Sequence, residues 1–178
     1  MALGQIAAGK ARGWNDASAA PAGTEPPTGV EPVPGAHLVT LRCGYCHHGI
    51  YVGGGKVVHY AGYLHSRHPG LVEEVDLAEF AAGRQVWIDA SPAPVYPSHE
   101  VVRRARSRLN EHRYRLLTNN CEHFSAWCLC GESRSKQVQA WLAHPRSALL
   151  GAVRLCKALH QGEPSASRPV LPGWQLSP

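Results

Sequence analysis

The feature that most constrains the fold is a run of three glycines, residues 53–55, between two segments rich in β-branched and aromatic side chains. Residues 47–52 and 56–60 have the composition of short strands, and glycine adopts the positive φ angles that a tight turn requires. The pattern predicts a β-hairpin. In the predicted register, three cross-strand pairs face each other: Val52 with Lys56, Tyr51 with Val57, and Gly49 with His59.

Two histidines fall on one face of this hairpin. Because side chains alternate along a strand, the register places His47, Tyr51 and His59 together. His48 then faces the opposite way. His47 and His59 become diagonal neighbours, roughly 7 to 8 Å apart at Cα, so that one ring can orient the other. A general base and its orienting partner need such an arrangement. The alternative is that both are merely half-buried strand histidines without a catalytic role, which would be the preferred interpretation for a single histidine.

The remaining patterns predict an α+β domain in which an antiparallel β-sheet packs against helices. Further strands are expected at residues 37–42, 71–75 and 85–88, with a helical turn at 77–81. Helices are expected at residues 98–109, capped by Ser98, at 121–129, capped by Asn120, and at 135–142 and 145–159. Residues 1–34 and 161–178 are rich in proline and small residues. We expect these two segments to be disordered around one domain, residues 35–160.

Cys121 is the candidate nucleophile, because it falls in the first turn of a predicted helix. Unbonded main-chain N–H groups and the helix dipole at that end stabilise a thiolate and lower its pKa. The N–H of Cys121 can also donate to the carbonyl oxygen that becomes charged during attack. Further candidates for oxyanion or substrate binding are Tyr45, Tyr51 and Asn120. A buried structural thiol is the alternative, since periodicity does not distinguish the two.

Two sequence blocks, in this order, resemble the lecithin retinol acyltransferase (LRAT) family. The first is His-His-Gly-Ile-Tyr-Val-Gly-Gly-Gly-Lys-Val-Val-His-Tyr at residues 47–60, and the second is Asn-Cys-Glu-His-Phe at residues 120–124. The resemblance covers about residues 34–135 and implies a permuted papain-like fold of the NlpC/P60 type. It implies that His47 is the general base, His59 the orienting residue and Cys121 the nucleophile that becomes acylated. No metal or organic cofactor is implied.

The resemblance also implies a reaction: a cysteine-dependent acyltransferase or hydrolase acting on glycerophospholipid acyl chains, of the phospholipase A or acyltransferase type. The thiolate attacks an ester or amide, and the thioester passes its acyl group to an alcohol, an amine or water. Ala36 and Gly54 stand where relatives often carry acidic residues, which leaves the substrate preference open.

The expected partner is a phospholipid or another acyl donor, with peripheral membrane contact and without nucleic acid. The formal charge of +5 suits any anionic surface and does not choose among them. The N-terminus lacks a secretory pattern, which predicts a cytoplasmic protein. Residues 140–159 interleave apolar and basic side chains, which is more typical of a helix packed on the core than of an interfacial one. The oligomeric state stays open.

Three alternatives compete with this interpretation. A zinc site is disfavoured. Cys43 and Cys46 have the spacing of a zinc knuckle, but the second cysteine pair lies within a predicted helix, where the two thiols cannot easily bind one ion. Cys128 and Cys130 would diverge by about 200° around a helix axis. The other two alternatives keep the fold: a catalytically inactive module that binds lipid or peptide, and a thiol amidase or peptidase. Thiol reactivity would separate the inactive module from an enzyme.

Overall fold

The computed structural model describes residues 31–42, 45–62, 68–144 and 153. In this part of the chain, one sheet contains β1 (His37–Arg42), β2 (Tyr45–Gly53), β3 (Lys56–Tyr60), β4 (Val72–Asp76) and β5 (Val86–Ile88). The helices are α1 (Leu77–Ala81), α2 (Ser98–Ser107), α3 (Cys121–Cys130) and α4 (Lys136–Ala143). All strand pairs are antiparallel, in the order β4-β3-β2-β1-β5. The predicted α+β class is confirmed.

The predicted hairpin forms between β2 and β3, and two of its cross-strand pairs are confirmed: Gly49 with His59, and Tyr51 with Val57. The predicted partner of Lys56 is wrong. Gly53 lies opposite it instead of Val52, because the register shifts beyond Tyr51. Residues 53–55 have φ angles of 92°, 60° and 70°. These values lie in the left-handed region, where glycine is strongly preferred.

The predicted N-cap is confirmed for α3 and is wrong for α2. Asn120 caps α3 as predicted, and its side chain accepts from the main-chain N–H groups of the next turn. Ser98 does not cap α2. Pro97 occupies the N-cap position without a side-chain bond, and Ser98 is the first helical residue. The helix ends at Ser107 rather than at residue 109.

Several predictions fall on residues that the structure does not describe. The helix expected at residues 145–159 lies outside the described residues except at Val153, which is helical and exposed. The disordered segments expected at residues 1–34 and 161–178 also lie outside them, apart from residues 31–34. Among the helices that the structure does describe, none is long and apolar enough to cross a bilayer.

Alternation along the strands sorts the core into two clusters, one on each face of the sheet. The cluster between the sheet and helices α2 and α3 contains Ile50, Val52, Val58, Tyr60 and Phe124. The cluster beside α1 contains Leu38, Tyr51, Val57, Val75 and Phe80. His47 and His59 have the parity of the second cluster, so they lie on the face that Phe80 covers.

Gly49 allows Phe80 to pack closely on this face. A Cβ atom at position 49 would lie 2.7 Å from Val57 Cγ1 and 2.8 Å from Phe80 Cε2. We expect Gly49→Ala to lower the free energy of unfolding by about 1–3 kcal/mol, the usual cost of overpacking, as measured by chemical denaturation. Gly54→Ala is the control, because a Cβ there has nothing within 4 Å and only the positive φ adds strain. A Gly49→Ala variant as stable as the native protein would contradict a packing effect.

Candidate active site

The two hairpin histidines contact each other directly. His47 Nε2 lies 2.8 Å from His59 Nδ1, and the rings are nearly perpendicular, with centroids 5.0 Å apart. Both side chains are buried. The contact that the register predicts between the two rings is therefore confirmed.

Phe80 covers the histidine pair and keeps water away from it. Its ring lies 5.4 Å from the His47 ring and 5.7 Å from the His59 ring, centroid to centroid. Burial, and then the unfavourable proximity of His59, Arg42 and His48 to a protonated ring, holds the pKa of His47 well below its usual value of 6.5. At neutral pH His47 is therefore an uncharged imidazole, which is the form that accepts a proton.

Cys121, the first residue of α3, lies at an edge of β2. Only residues 49–53 of β2 lie in the part that pairs with β3, so residues 45–48 extend past the end of β3. The Cys121 sulfur lies 4.0 Å from the Cys46 carbonyl oxygen, and the main-chain N–H of His48 stabilises its thiolate form. These two groups flank His47 in the sequence. The sulfur therefore lies beside the strand segment that carries the histidine.

Burial raises the pKa of the Cys121 thiol to about 12. The main-chain N–H groups of His48 and Glu122 act in the opposite direction, whereas the Glu122 carboxylate adds to the increase. The prediction of a lowered pKa is wrong here, because the lost hydration of the thiolate outweighs the favourable helix end. The thiol keeps its proton at neutral pH and needs a base at the moment of attack.

His47 Nδ1 is buried and has no hydrogen-bond partner among the described residues. Its other ring nitrogen is occupied by His59. No hydrogen bond joins His47 to Cys121 in this part of the chain, although the sulfur lies beside the same strand segment. A buried polar atom without a partner is uncommon and calls for an explanation in the chemistry of the site.

Tyr45 is the remaining candidate that lies close to both groups. Its ring meets the His47 ring edge-on, with 6.2 Å between centroids. Burial, and then the negative charge of a Cys121 thiolate, raises the pKa of Tyr45. The hydroxyl therefore keeps its hydrogen over the ordinary pH range and can donate it to an oxyanion.

The structure does not bring Tyr51 and Asn120 to the site as ligand-binding groups. The Tyr51 hydroxyl donates to Glu31 and accepts from the Gly55 N–H, so it supports the hairpin turn. The Asn120 side chain accepts from two main-chain N–H groups of α3 and donates to the Leu116 carbonyl. Its role is to fix the start of the helix that carries Cys121.

The sequence predictions missed a polar network that binds the β2 segment beside Cys121. The Gln137 side chain accepts from the Cys46 N–H at 3.0 Å and donates to the Cys46 carbonyl at 3.1 Å. It also donates to His48 Nε2 at 2.8 Å, and His48 Nδ1 lies 3.0 Å from His37 Nε2. Both nitrogens of His48 are thus engaged away from His47. No local signal marks Gln137, because its partners lie about ninety positions away.

The alternative zinc site gains no support from the described residues. They contain no group of three or more His, Cys, Asp or Glu side chains arranged to hold a metal ion. Cys128 lies in the core, and Cys130 donates to the Ala126 carbonyl of its own helix. Cys43 lies outside the described residues.

Comparison with known proteins gives one family and two similar human proteins. The family described as lecithin retinol acyltransferase matches residues 30–134. The Homo sapiens protein Phospholipase A and acyltransferase 4 is 28% identical over 127 residues, which cover 61% of this chain and 76% of that protein. Phospholipase A and acyltransferase 2, also from Homo sapiens, is 33% identical over 113 residues, covering 54% of this chain and 70% of that protein.

Proposed function

Because this chain belongs to the lecithin retinol acyltransferase family, we propose that it is a cysteine-dependent acyltransferase or phospholipase A-type hydrolase that acts on glycerophospholipid acyl chains. The observation that carries the proposal is the unpartnered Nδ1 of His47, whose strand segment the Cys121 sulfur contacts at the Cys46 carbonyl. The names of the two human relatives support a lipid substrate.

The reaction proceeds in two halves. Cys121 Sγ attacks the ester carbonyl carbon while its proton passes to His47 Nδ1, and the tetrahedral oxyanion accepts from the Tyr45 hydroxyl and the Cys121 N–H. The C–O bond then breaks, and the leaving alcohol takes the proton back from His47. In the second half, water or another acceptor gives a proton to His47 and attacks the thioester. The thiol is regenerated when that proton returns to sulfur.

The test is intact-mass spectrometry of the full chain incubated with a short-chain phosphatidylcholine. We expect an adduct with the mass of one acyl group, located to Cys121 by peptide mapping. An inactive binding module would bind the lipid without forming an adduct or releasing a product. An amidase or peptidase would give an adduct with activated amides and none with the phospholipid.

An exposed apolar loop next to the nucleophile supports a lipid surface as the source of substrate. Residues 115–119 form a closed turn in which Arg115 and Asn119 bridge each other. Leu116 and Leu117 are 43% and 54% exposed at its tip. The Asn120 side chain ties this turn to the start of α3. Arg115 itself is exposed and suits an anionic headgroup. We include peripheral membrane contact in the proposal.

Replacing both leucines of this turn, Leu116→Ser and Leu117→Ser, should weaken binding to anionic phospholipid vesicles at least tenfold. Burying a leucine in an apolar phase contributes about 1.5–3 kcal/mol, so even partial insertion of two has a large effect. Vesicle co-sedimentation measures the loss, and turnover of a short-chain monomeric substrate should change little. The control is Val95→Ser, because Val95 is 72% exposed elsewhere. An equal loss in the control would rule out a specific role for the turn.

A further inference from the structure

Glu73 lies directly opposite His59 where β3 pairs with β4. Its Oε1 is 3.4 Å from His59 Nε2, and the two side chains are only 15% and 9% exposed. This separation exceeds that of an ordinary N–H···O bond, so the carboxylate acts on the ring mainly through its charge. The second oxygen, Oε2, lies 3.0 Å from Nδ1 of His68. Glu73 therefore extends the contact between His47 and His59 by one acidic group that is largely shielded from solvent.

The contact between the two histidines permits two arrangements of hydrogen. In a neutral imidazole one nitrogen donates and the other accepts. If His59 carries its hydrogen on Nδ1, it donates to His47 Nε2, and the hydrogen of neutral His47 must then be on Nδ1. That form of His47 cannot accept a proton from a thiol. If His59 carries its hydrogen on Nε2, His47 donates from Nε2 and keeps a free lone pair on Nδ1.

A negative charge beside His59 Nε2 favours the second arrangement. The carboxylate of Glu73 stabilises a hydrogen at that nitrogen, and the preference passes through the 2.8 Å contact to His47. The result leaves Nδ1 of His47 as a bare acceptor. Neither this nitrogen nor His59 Nε2 has a hydrogen-bond partner among the described residues, so the charge of Glu73 is what distinguishes the two arrangements. The ion pair with His68 is a weaker reason for the position of Glu73, because His68 is 64% exposed and such pairs contribute little.

We propose that Glu73 is a positioning residue that acts through His59 to keep His47 in the tautomer that can accept the Cys121 proton. This inference rests on the proposed function of His47 as the base. It adds a fourth member to the arrangement of Cys121, His47 and His59. Glu73 does not touch the reacting atoms, so its effect requires His59.

The first test reads the tautomers directly and does not depend on activity. Long-range ¹H–¹⁵N NMR correlations on the labelled full chain distinguish hydrogen on Nδ1 from hydrogen on Nε2. We expect Nε2–H in both His47 and His59 of the native protein, and a shift of His59 toward Nδ1–H in Glu73→Met. The control is Glu74→Met, since Glu74 is the next residue and pairs with Arg106 instead. Native His59 with Nδ1–H, or unchanged tautomers in Glu73→Met, would overturn the proposal.

The second test asks whether Glu73 acts through His59. With a short-chain phospholipid, Glu73→Met should lower the acylation rate at least tenfold with little change in KM, while Glu74→Met stays near the native rate. In a His59→Gln background, Glu73→Met should cause no additional loss. Losses that multiply would overturn the proposed route through His59. If the native protein gives no acyl adduct, the proposed function fails, and the NMR result still decides the role of Glu73 in the tautomers.

Discussion

Cys121→Ala is expected to abolish acyl-enzyme formation and to reduce turnover of a short-chain phospholipid by at least about 10³-fold, the scale of nucleophile removal in other covalent mechanisms. The reason is that in the proposed mechanism sulfur forms the covalent bond, and alanine offers no substitute. Intact-mass spectrometry measures the adduct, and product release measures turnover. The side chain is small and only one atom is removed, so the fold should persist.

A cysteine on the same helix provides the matched control for this prediction. Cys130 lies at the other end of α3, and its sulfur donates to the Ala126 carbonyl of the same helix. Cys130→Ala should therefore keep both the adduct and the turnover. An adduct that survives in Cys121→Ala would show that another thiol is the nucleophile. Loss of both signals in Cys130→Ala, with a native circular dichroism spectrum, would also contradict the assignment.

The parts of the fold that the sequence predicted correctly are those that depend on neighbours in the chain. The glycine run places the hairpin between β2 and β3, and although the pair next to the turn is wrong, the pairs from Tyr51 to Gly49 follow the predicted register, which brings His47 and His59 together. The cap of α3 likewise depends on Asn120 and the next two N–H groups. Ser98 failed as a cap because Pro97 already occupies the N-cap position. Such predictions are reliable when all the residues involved lie within one turn of the chain.

The parts that escaped prediction depend on contacts between distant segments. Gln137 reaches Cys46 across the interface between α4 and β2, and no periodicity in either segment indicates the pair. Glu73 could have been found by extending the register from β3 to β4, since it lies directly opposite His59. The two residues that sequence reasoning missed are therefore of different kinds. Finding Gln137 required the folded structure, whereas finding Glu73 required only that the strand register be extended from β3 to β4.

The pKa of Cys121 shows where a local rule gave the wrong sign. A helix N-terminus and nearby N–H groups do lower the pKa of a thiol, and both act on Cys121. Burial in the packed fold acts more strongly in the other direction and raises the pKa to about 12. The depth of burial follows from tertiary packing, which the helix pattern does not contain. In the proposed mechanism, activation of the sulfur therefore comes from the base and not from a preformed thiolate.

His47→Gln is the second variant with a large expected effect, because it removes the proposed base. General-base catalysis contributes about 10²–10⁴-fold, so the acylation rate at neutral pH should fall by a factor of this size. The pH dependence should also change. The pKa of native His47 lies well below 6.5, so the native rate should fall only as the imidazole becomes protonated at lower pH. Above the pKa of His47, the native acylation rate should be independent of pH up to the region of the Cys121 pKa.

Without the base, the variant depends on the small fraction of thiolate. Because the pKa of Cys121 is about 12, that fraction increases about tenfold for each pH unit across the neutral and mildly alkaline range. Acylation rates measured by rapid quench over this range test the contrast between a plateau and a steady increase. His48→Gln is the control: His48 bonds to His37 and Gln137, so this variant should keep the plateau. A plateau in His47→Gln would show that another group accepts the proton.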